Sequence, residues 1–224
     1  ISCPQCCQKH HSNGNTTYYH QMLGASIVHP DKKNVIPLCP EVILNQDGTV
    51  KNDCERNASK RFFEDFRREH PHLKTIVLED GLSSNAPNIH TLQKYNLSYI
   101  LVAHASDHQY LFEQLNDSDN AIYHEFSENG AYHQFRYLNG ASLNKSNQDL
   151  KINVLEYRCT DAKGKEYNCS WVTDIDITTK NVLQIAKAGR TRWKVENETF
   201  NTLKNMGDYN LEHNYGHGKK YLST

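Results

Sequence analysis

Two acids and one cysteine/histidine cluster carry the donors in this 224-residue chain whose type and spacing suit chemistry. Asp80 follows the run Thr75-Ile76-Val77-Leu78-Glu79 and precedes Gly81. It therefore stands at the carboxyl end of an expected buried strand, where open α/β sheets place their ligand sites. A loop acid or helix cap is the alternative reading of the same position. Glu196 is the second acid. At about 100° per residue, Trp193, Phe200 and Leu203 lie within about 60° of it, whereas Glu198 points about 160° away, so Glu196 is expected on the buried face of a helix. A carboxylate there must be paired, protonated or bound to a cation. Arg192, one turn earlier, offers an ion pair. At the amino-terminal end, Cys3-x-x-Cys6-Cys7 with His10 and His11 has one spacing suited to tetrahedral zinc, and reduced, non-ligating cysteines are the competing reading. His213 and His217 are four apart, but Gly216 and Gly218 place them in a loop.

The elements that must position these residues follow from periodicity. Thr16 to His29 and Val35 to Leu44 are rich in β-branched and aromatic residues and read as two or three strands, joined at His29-Pro30-Asp31 and closed by Asp47-Gly48. From Asp53, expected as an N-cap, Cys54, Ala58, Phe62 and Phe66 recur at helical spacing until Pro71. The apolar run 75–78 predicts a central, parallel strand, and a helix from Ala86 to Tyr95 and a strand from Tyr99 to Ala103 complete a β-α-β-α-β series. Residues 106–179 change texture, with turn signals at Glu128-Asn129-Gly130, Asn139-Gly140 and Asp161 to Lys165, and read as a mainly β insertion. Helical patterning resumes at Asn181 and runs, with a break expected at Gly189, to Met206. The expected organisation is a core in two parts, 1–105 and 180–224, around the insertion at 106–179.

Composition narrows the functional classes. With 25 Lys+Arg against 26 Asp+Glu, nothing in the total charge demands a polyanionic partner. The total hides a gradient, since Asp107–Lys180 carries a net charge of -5 and Asn181–Thr224 one of +3. A basic end on an acidic middle suits local phosphate contact. No apolar run reaches the roughly 18 residues of a membrane span, and no basic region followed by an apolar stretch opens the chain, so a cytoplasmic protein without membrane contact is expected. The seven Asn-x-Ser/Thr sequons are ascribed to abundant asparagine, because Asn57 and Asn197 fall inside expected helices. Seven cysteines, an odd and sparse set, fit reduced thiols.

The stretch Arg190-Thr-Arg192-Trp193-Lys194-Val-Glu196-Asn-Glu-Thr-Phe200-Asn-Thr-Leu203-Lys204 resembles the last acidic motif of bacterial insertion-sequence transposases of the DDE class, in the branch with a spaced tyrosine, arginine, glutamate and lysine signature. Similar to that family, too, are Tyr18-Tyr19-His20-Gln21, Val35 to Glu41, Lys51 to Asn57 and Glu212 to Gly218, so the resemblance covers essentially the whole chain. It implies an α/β fold: a ribonuclease-H-like mixed sheet flanked by helices, with a mainly β insertion subdomain between the second and third acids. Asp80 would be the second metal-binding acid and Glu196 the third, both on Mg²⁺ or Mn²⁺. Arg190, Arg192, Lys194 and Lys204 would contact DNA phosphates near the scissile bond. Two positions depart from the signature: Gly189 stands where the tyrosine is expected, and Leu203 stands seven after the glutamate, with Lys204 at eight.

The implied activity is metal-dependent DNA strand cleavage and strand transfer, with transposon ends and target DNA as partners, a nucleoid-associated location when bound, and a homodimer in the DNA complex as one arrangement. The first catalytic Asp of the family is not among the residues before Thr16, and is expected upstream of Ile1, so the fragment alone is expected to bind metal weakly and leave DNA uncut. Two other readings stay open. One is a noncatalytic nucleic-acid-binding module using a Cys/His zinc site built on Cys3 and Cys6. The other is a ribonuclease-H-like nuclease that cuts without joining.

Overall fold

A computed structural model describes residues 6–44 and 54–205. The chain divides into two compact units, one comprising residues 72–192 and the other residues 1–71 together with 193–224.

In the unit of residues 1–71 and 193–224, the described strands are short and pair two by two. β1 (Cys7–His10) pairs antiparallel with β2 (Thr16–Tyr19) across the turn containing Asn13 and Gly14. β3 (Gln21–Leu23) pairs with β6 (Glu41–Ile43), and β4 (Ser26–His29) with β5 (Lys32–Pro37). The stretch expected to give two or three strands is thus divided more finely, and β1 was not anticipated. It carries two buried or half-buried residues and then two exposed ones, so it shows neither alternation nor an apolar run. Helix α1 (Glu55–Glu69) follows the expected period and buries Ala58 and Phe63. Its N-cap position is Cys54, which makes no side-chain cap, and Asp53 lies outside the described residues. Arg61 of α1 joins Glu41 at 2.6 Å and donates to the Val42 carbonyl at 3.0 Å, which ties the helix to β6. Cys7, Ile43 and Ala58 form the small buried core beneath.

The other unit is built on a six-stranded mixed sheet flanked by helices. β7 (Ile76–Glu79) and β8 (Ser98–Val102) are parallel, with α2 (Ala86–Lys94) as the crossover between them. Asn85 caps α2 by accepting from Asn88 N at 3.1 Å, and Pro87 sits in its first turn, where its missing N–H costs nothing. After β8 come α3 (Gln109–Asp117), β9 (Ile122–Glu128), β10 (Ala131–Asn144), β11 (Asn147–Thr160) and β12 (Glu166–Thr173). The spatial order is β7-β8-β12-β11-β10-β9, so residues 106–179 contribute α3 and four antiparallel strands to the same sheet as β7 and β8.

Two local expectations change. β7 is parallel, as its apolar run predicts, but it is an edge strand with Ile76 47% exposed rather than a central one. Asn129-Gly130 makes the β9–β10 turn with both residues at positive φ, the pairing a right-twisted hairpin favours. Asn139-Gly140, by contrast, is a bulge inside β10, between Leu138 and Ala141. Gly140, at φ 73°, accommodates the kink, and Asn139 then exchanges two hydrogen bonds with the backbone of Ile177.

Helix α4 (Val182–Arg190) lies on the sheet, with Val182, Ile185 and Ala186 packed among Ile100, Leu155, Tyr157 and Trp171. The break expected at Gly189 falls later, because α4 runs through Gly189 and tightens into a 3-10 turn over Thr191–Trp193. Gly189 is there for close approach. A Cβ at this position would stand 2.6 Å from the Trp171 indole, which is 2% exposed. No helix among the described residues is long and apolar enough to cross a membrane.

Candidate functional site

Asp80 sits where the sequence places it, immediately after β7 and before a 3-10 turn at Gly81–Ser83. Both readings of the residue hold at once. It ends a parallel strand, and its Oδ1 accepts from Leu82 N at 3.1 Å, capping the turn. The carboxylate is exposed, and among the described residues its Oδ2 has no hydrogen-bond partner.

Neighbouring side chains fix the turn that carries it. Ser84 is 2% exposed; its hydroxyl donates to the Gly81 carbonyl at 2.9 Å and lies 2.8 Å from His108 Nε2. Because the one hydroxyl proton goes to Gly81, His108 Nε2 is the donor in that contact. Burial pushes the His108 pKa down and nearby His104 adds to this, while Asp107 opposes it. Asn88 donates to Glu79 Oε2 at 2.8 Å and to the Ser83 carbonyl at 3.0 Å. His104 stands on the other side: a Cβ on Gly81 would come 3.0 Å from its ring, a close contact that the exposed ring would have to yield to. Ser84, His104 and His108 were missed by the sequence reading. The i, i+4 spacing of the two histidines just after an expected strand was the signal that could have found them.

Glu196 lies in the other unit, in a segment that is not α-helical. Residues Val195–Phe200 form a π-helical turn, which takes more residues per turn than the 3.6 used to phase the acids. The buried position is Thr199, 7% exposed, whose hydroxyl meets Ser26 at 3.0 Å, and both Glu196 and Glu198 are exposed. The expected buried face for Glu196 is therefore corrected, along with that of Trp193, which is 45% exposed. The choice of Glu196 over Glu198 now rests on motif spacing alone.

The four basic residues separate by environment. Arg190 is half-buried, with its guanidinium 4.6 Å over the Tyr167 ring. Arg192 is half-buried in the 3-10 turn. Lys194 donates to the carbonyls of His29 at 2.6 Å and Lys32 at 2.7 Å, so it clamps the β4–β5 turn. Lys204 is exposed on α5 (Asn201–Asn205). Gly189 is the position at which the resemblance leads one to expect a tyrosine, and a side chain there would require the buried Trp171 ring to shift.

At the cysteine/histidine cluster, Cys6 and Cys7 are fully buried. Cys7 donates to the Ile43 carbonyl at 3.4 Å, whereas Cys6 Sγ lies 3.5 Å from His20 Nε2. His10 and His11 instead meet Thr16 and Thr17. Cys3, His213 and His217 lie outside the described residues. All described cysteines are free thiols, and among the described residues no three His, Cys, Asp or Glu side chains converge on a common metal position.

No protein-family model matches the chain, and no curated protein matches it.

Proposed function

We propose that the chain is part of a DDE transposase of a bacterial insertion sequence, with a ribonuclease-H-like core, acting on transposon ends and target DNA. The observation that carries this reading is Asp80. It projects an exposed carboxylate from the end of a parallel strand, on a turn held by Ser84, His108 and Asn88, while Arg192 and Glu196 keep the family's four-residue spacing.

The donor chemistry fits the metal. Mg²⁺ prefers hard oxygen ligands, and Asp80 Oδ2 is available to one. In this reading Asp80 and Glu196 each supply a carboxylate to Mg²⁺ or Mn²⁺. The chemistry supplied by the bound metal is polarisation of the phosphate and a lowered pKa for the attacking oxygen. Water or a DNA 3′-hydroxyl attacks phosphorus, a new P–O bond forms, and the displaced 3′ oxygen leaves and takes up a proton. Asp80 contributes position as well as charge, because its second oxygen is held by the Leu82 amide. Arg190, Arg192, Lys194 and Lys204 are the basic residues proposed for phosphate contact, and Arg190 and Lys194 also hold contacts within the fold. Such contacts are salt-sensitive and read little sequence.

The test is a strand-transfer assay on the full-length product of the gene in Mg²⁺, scoring joined as well as cut DNA. Loss of several kcal/mol of transition-state stabilisation predicts a fall of about a thousandfold for Asp80→Ala, with DNA binding retained. Undiminished activity would contradict the assignment. Cutting without joining would favour the nuclease.

A further inference from the structure

We infer that Lys194 and Thr199 are positioning residues for Glu196, and that the π winding of the segment is what lets both of them bind the β4–β5 hairpin. At the start of the turn, the Lys194 ammonium donates to the carbonyls of His29 at 2.6 Å, Lys32 at 2.7 Å and Pro30 at 3.4 Å. Three acceptors match the three N–H donors of an ammonium, so the side chain is held at its tip as well as at its backbone. His29 Nδ1 accepts from Asp31 N at 3.1 Å, which fixes the turn presenting those carbonyls. Near the end of the turn, the buried Thr199 meets the Ser26 hydroxyl at 3.0 Å, at the opposite end of β4. Phe200 adds a third tie by lying over Gly24, where a Cβ would come 2.7 Å from its ring.

The two anchors are five residues apart. An α-helix would set them about 140° apart and aim only one at the hairpin. A π turn closes i→i+5 hydrogen bonds, here from Asn201 N to the Glu196 carbonyl, and residues five apart return to one side. Val195 is half-buried and Thr199 buried, whereas Glu196, Asn197 and Glu198 are exposed. Glu196 is therefore fixed through its backbone, two residues from one anchor and three from the other.

The consequence for catalysis rests on the transposase reading, in which Glu196 is a metal ligand. Such a ligand has to be held within about 0.5 Å of its productive place, and a misplacement of about 1 Å costs up to about a hundredfold in rate. Lys194 and Thr199 have that effect without touching metal or DNA, because each acts through Glu196. For Lys194 this role is separable from phosphate contact by salt. A lost phosphate contact lowers the slope of log K against log[salt] by about one, and a lost anchor leaves it alone.

The experiment is a Mg²⁺ titration of strand joining by the full-length protein and its Thr199→Val, Thr199→Ser and Lys194→Met variants, with DNA affinity and amide hydrogen exchange measured on each. Thr199→Val should lower the joining rate about tenfold at limiting Mg²⁺ and raise the Mg²⁺ concentration for half-maximal rate by a similar factor. Thr199→Ser keeps the hydroxyl and should restore both. Lys194→Met should match Thr199→Val, with the salt slope of DNA binding unchanged. In both damaged variants the amides of residues 195–200 should exchange faster. Should Thr199→Val fail to fold, Ser26→Ala removes the same bond from the hairpin side. Unchanged exchange in the folded variants would overturn the anchoring, and faster exchange with an unchanged Mg²⁺ requirement would overturn the positioning of Glu196. An unaltered protein that joins no DNA would instead overturn the transposase reading, and the exchange measurement would still decide whether the hairpin holds the turn.

Discussion

The two units use β-structure differently. In residues 72–192, β10 and β11 run fourteen residues each within a six-stranded sheet, and Trp171, Tyr137 and Leu155 are buried between the sheet and α4. In residues 1–71 with 193–224, each described ladder has two strands of three to six residues, a size that is marginal alone. Polar ties do more of the holding there: Arg61 to Glu41, Lys194 to two turn carbonyls, Ser26 to Thr199. One unit positions Asp80 by continuous sheet and packed core. The other positions Glu196 by clamps on short hairpins.

The sharpest way to break this contrast is a matched pair of glycine substitutions. Gly189→Ala pushes a methyl into a buried indole that packing holds in place, and should cost about 1–3 kcal/mol in denaturant unfolding. Gly24→Ala also meets a ring, with the Phe200 edge at 2.7 Å, but Phe200 is only half-buried and can swing aside. Its cost should stay below about 1 kcal/mol, and equal costs would erase the distinction drawn between a fixed and a yielding core.

A smaller effect separates the units by pH. His108 has a folded pKa below its ordinary 6.5, as does His133, which burial also pushes down. Just below pH 6.5 the unfolded chain binds protons that the folded chain does not, so stability is complete above that value and falls as the pH drops through the window. His108→Gln keeps a donor near Ser84 and removes the titration, so its unfolding midpoint should depend less on pH between 7 and 5 than that of the unaltered chain. An unchanged slope would mean that His108 is not the group responsible.

The smallest expected change is a gain. Cys54 holds the extended N-cap conformation of α1 without a side-chain acceptor, so Cys54→Ser should stabilise the chain by about 0.5–1 kcal/mol, read as a raised midpoint of thermal unfolding.

Much of the sheet unit was legible in the sequence because its signals are local. The apolar run before Asp80, the capped helix beginning at Ala86 and the Asn129-Gly130 turn each declare themselves within a few residues. What escaped depends on partners distant in the chain. The edge position of β7 follows from which strand pairs with which, and Gly189 is explained only by Trp171. The Asn139-Gly140 bulge looks like a hairpin turn until Asn139 is seen bonding Ile177. At the candidate site, Asp80 was readable from position, but Ser84 and His108 lie 24 residues apart and meet only through the fold. Helix phasing failed at Glu196 because it assumed α geometry across a π turn.

The measurement that tests the central claim most directly is the yield of joined DNA from the full-length protein carrying Glu196→Gln, set beside Glu198→Gln two residues along the same π turn. The account predicts that Glu196→Gln abolishes joining in Mg²⁺ while DNA binding persists, and that Glu198→Gln joins DNA at close to the unaltered rate. Joining by Glu196→Gln at the unaltered rate would contradict it.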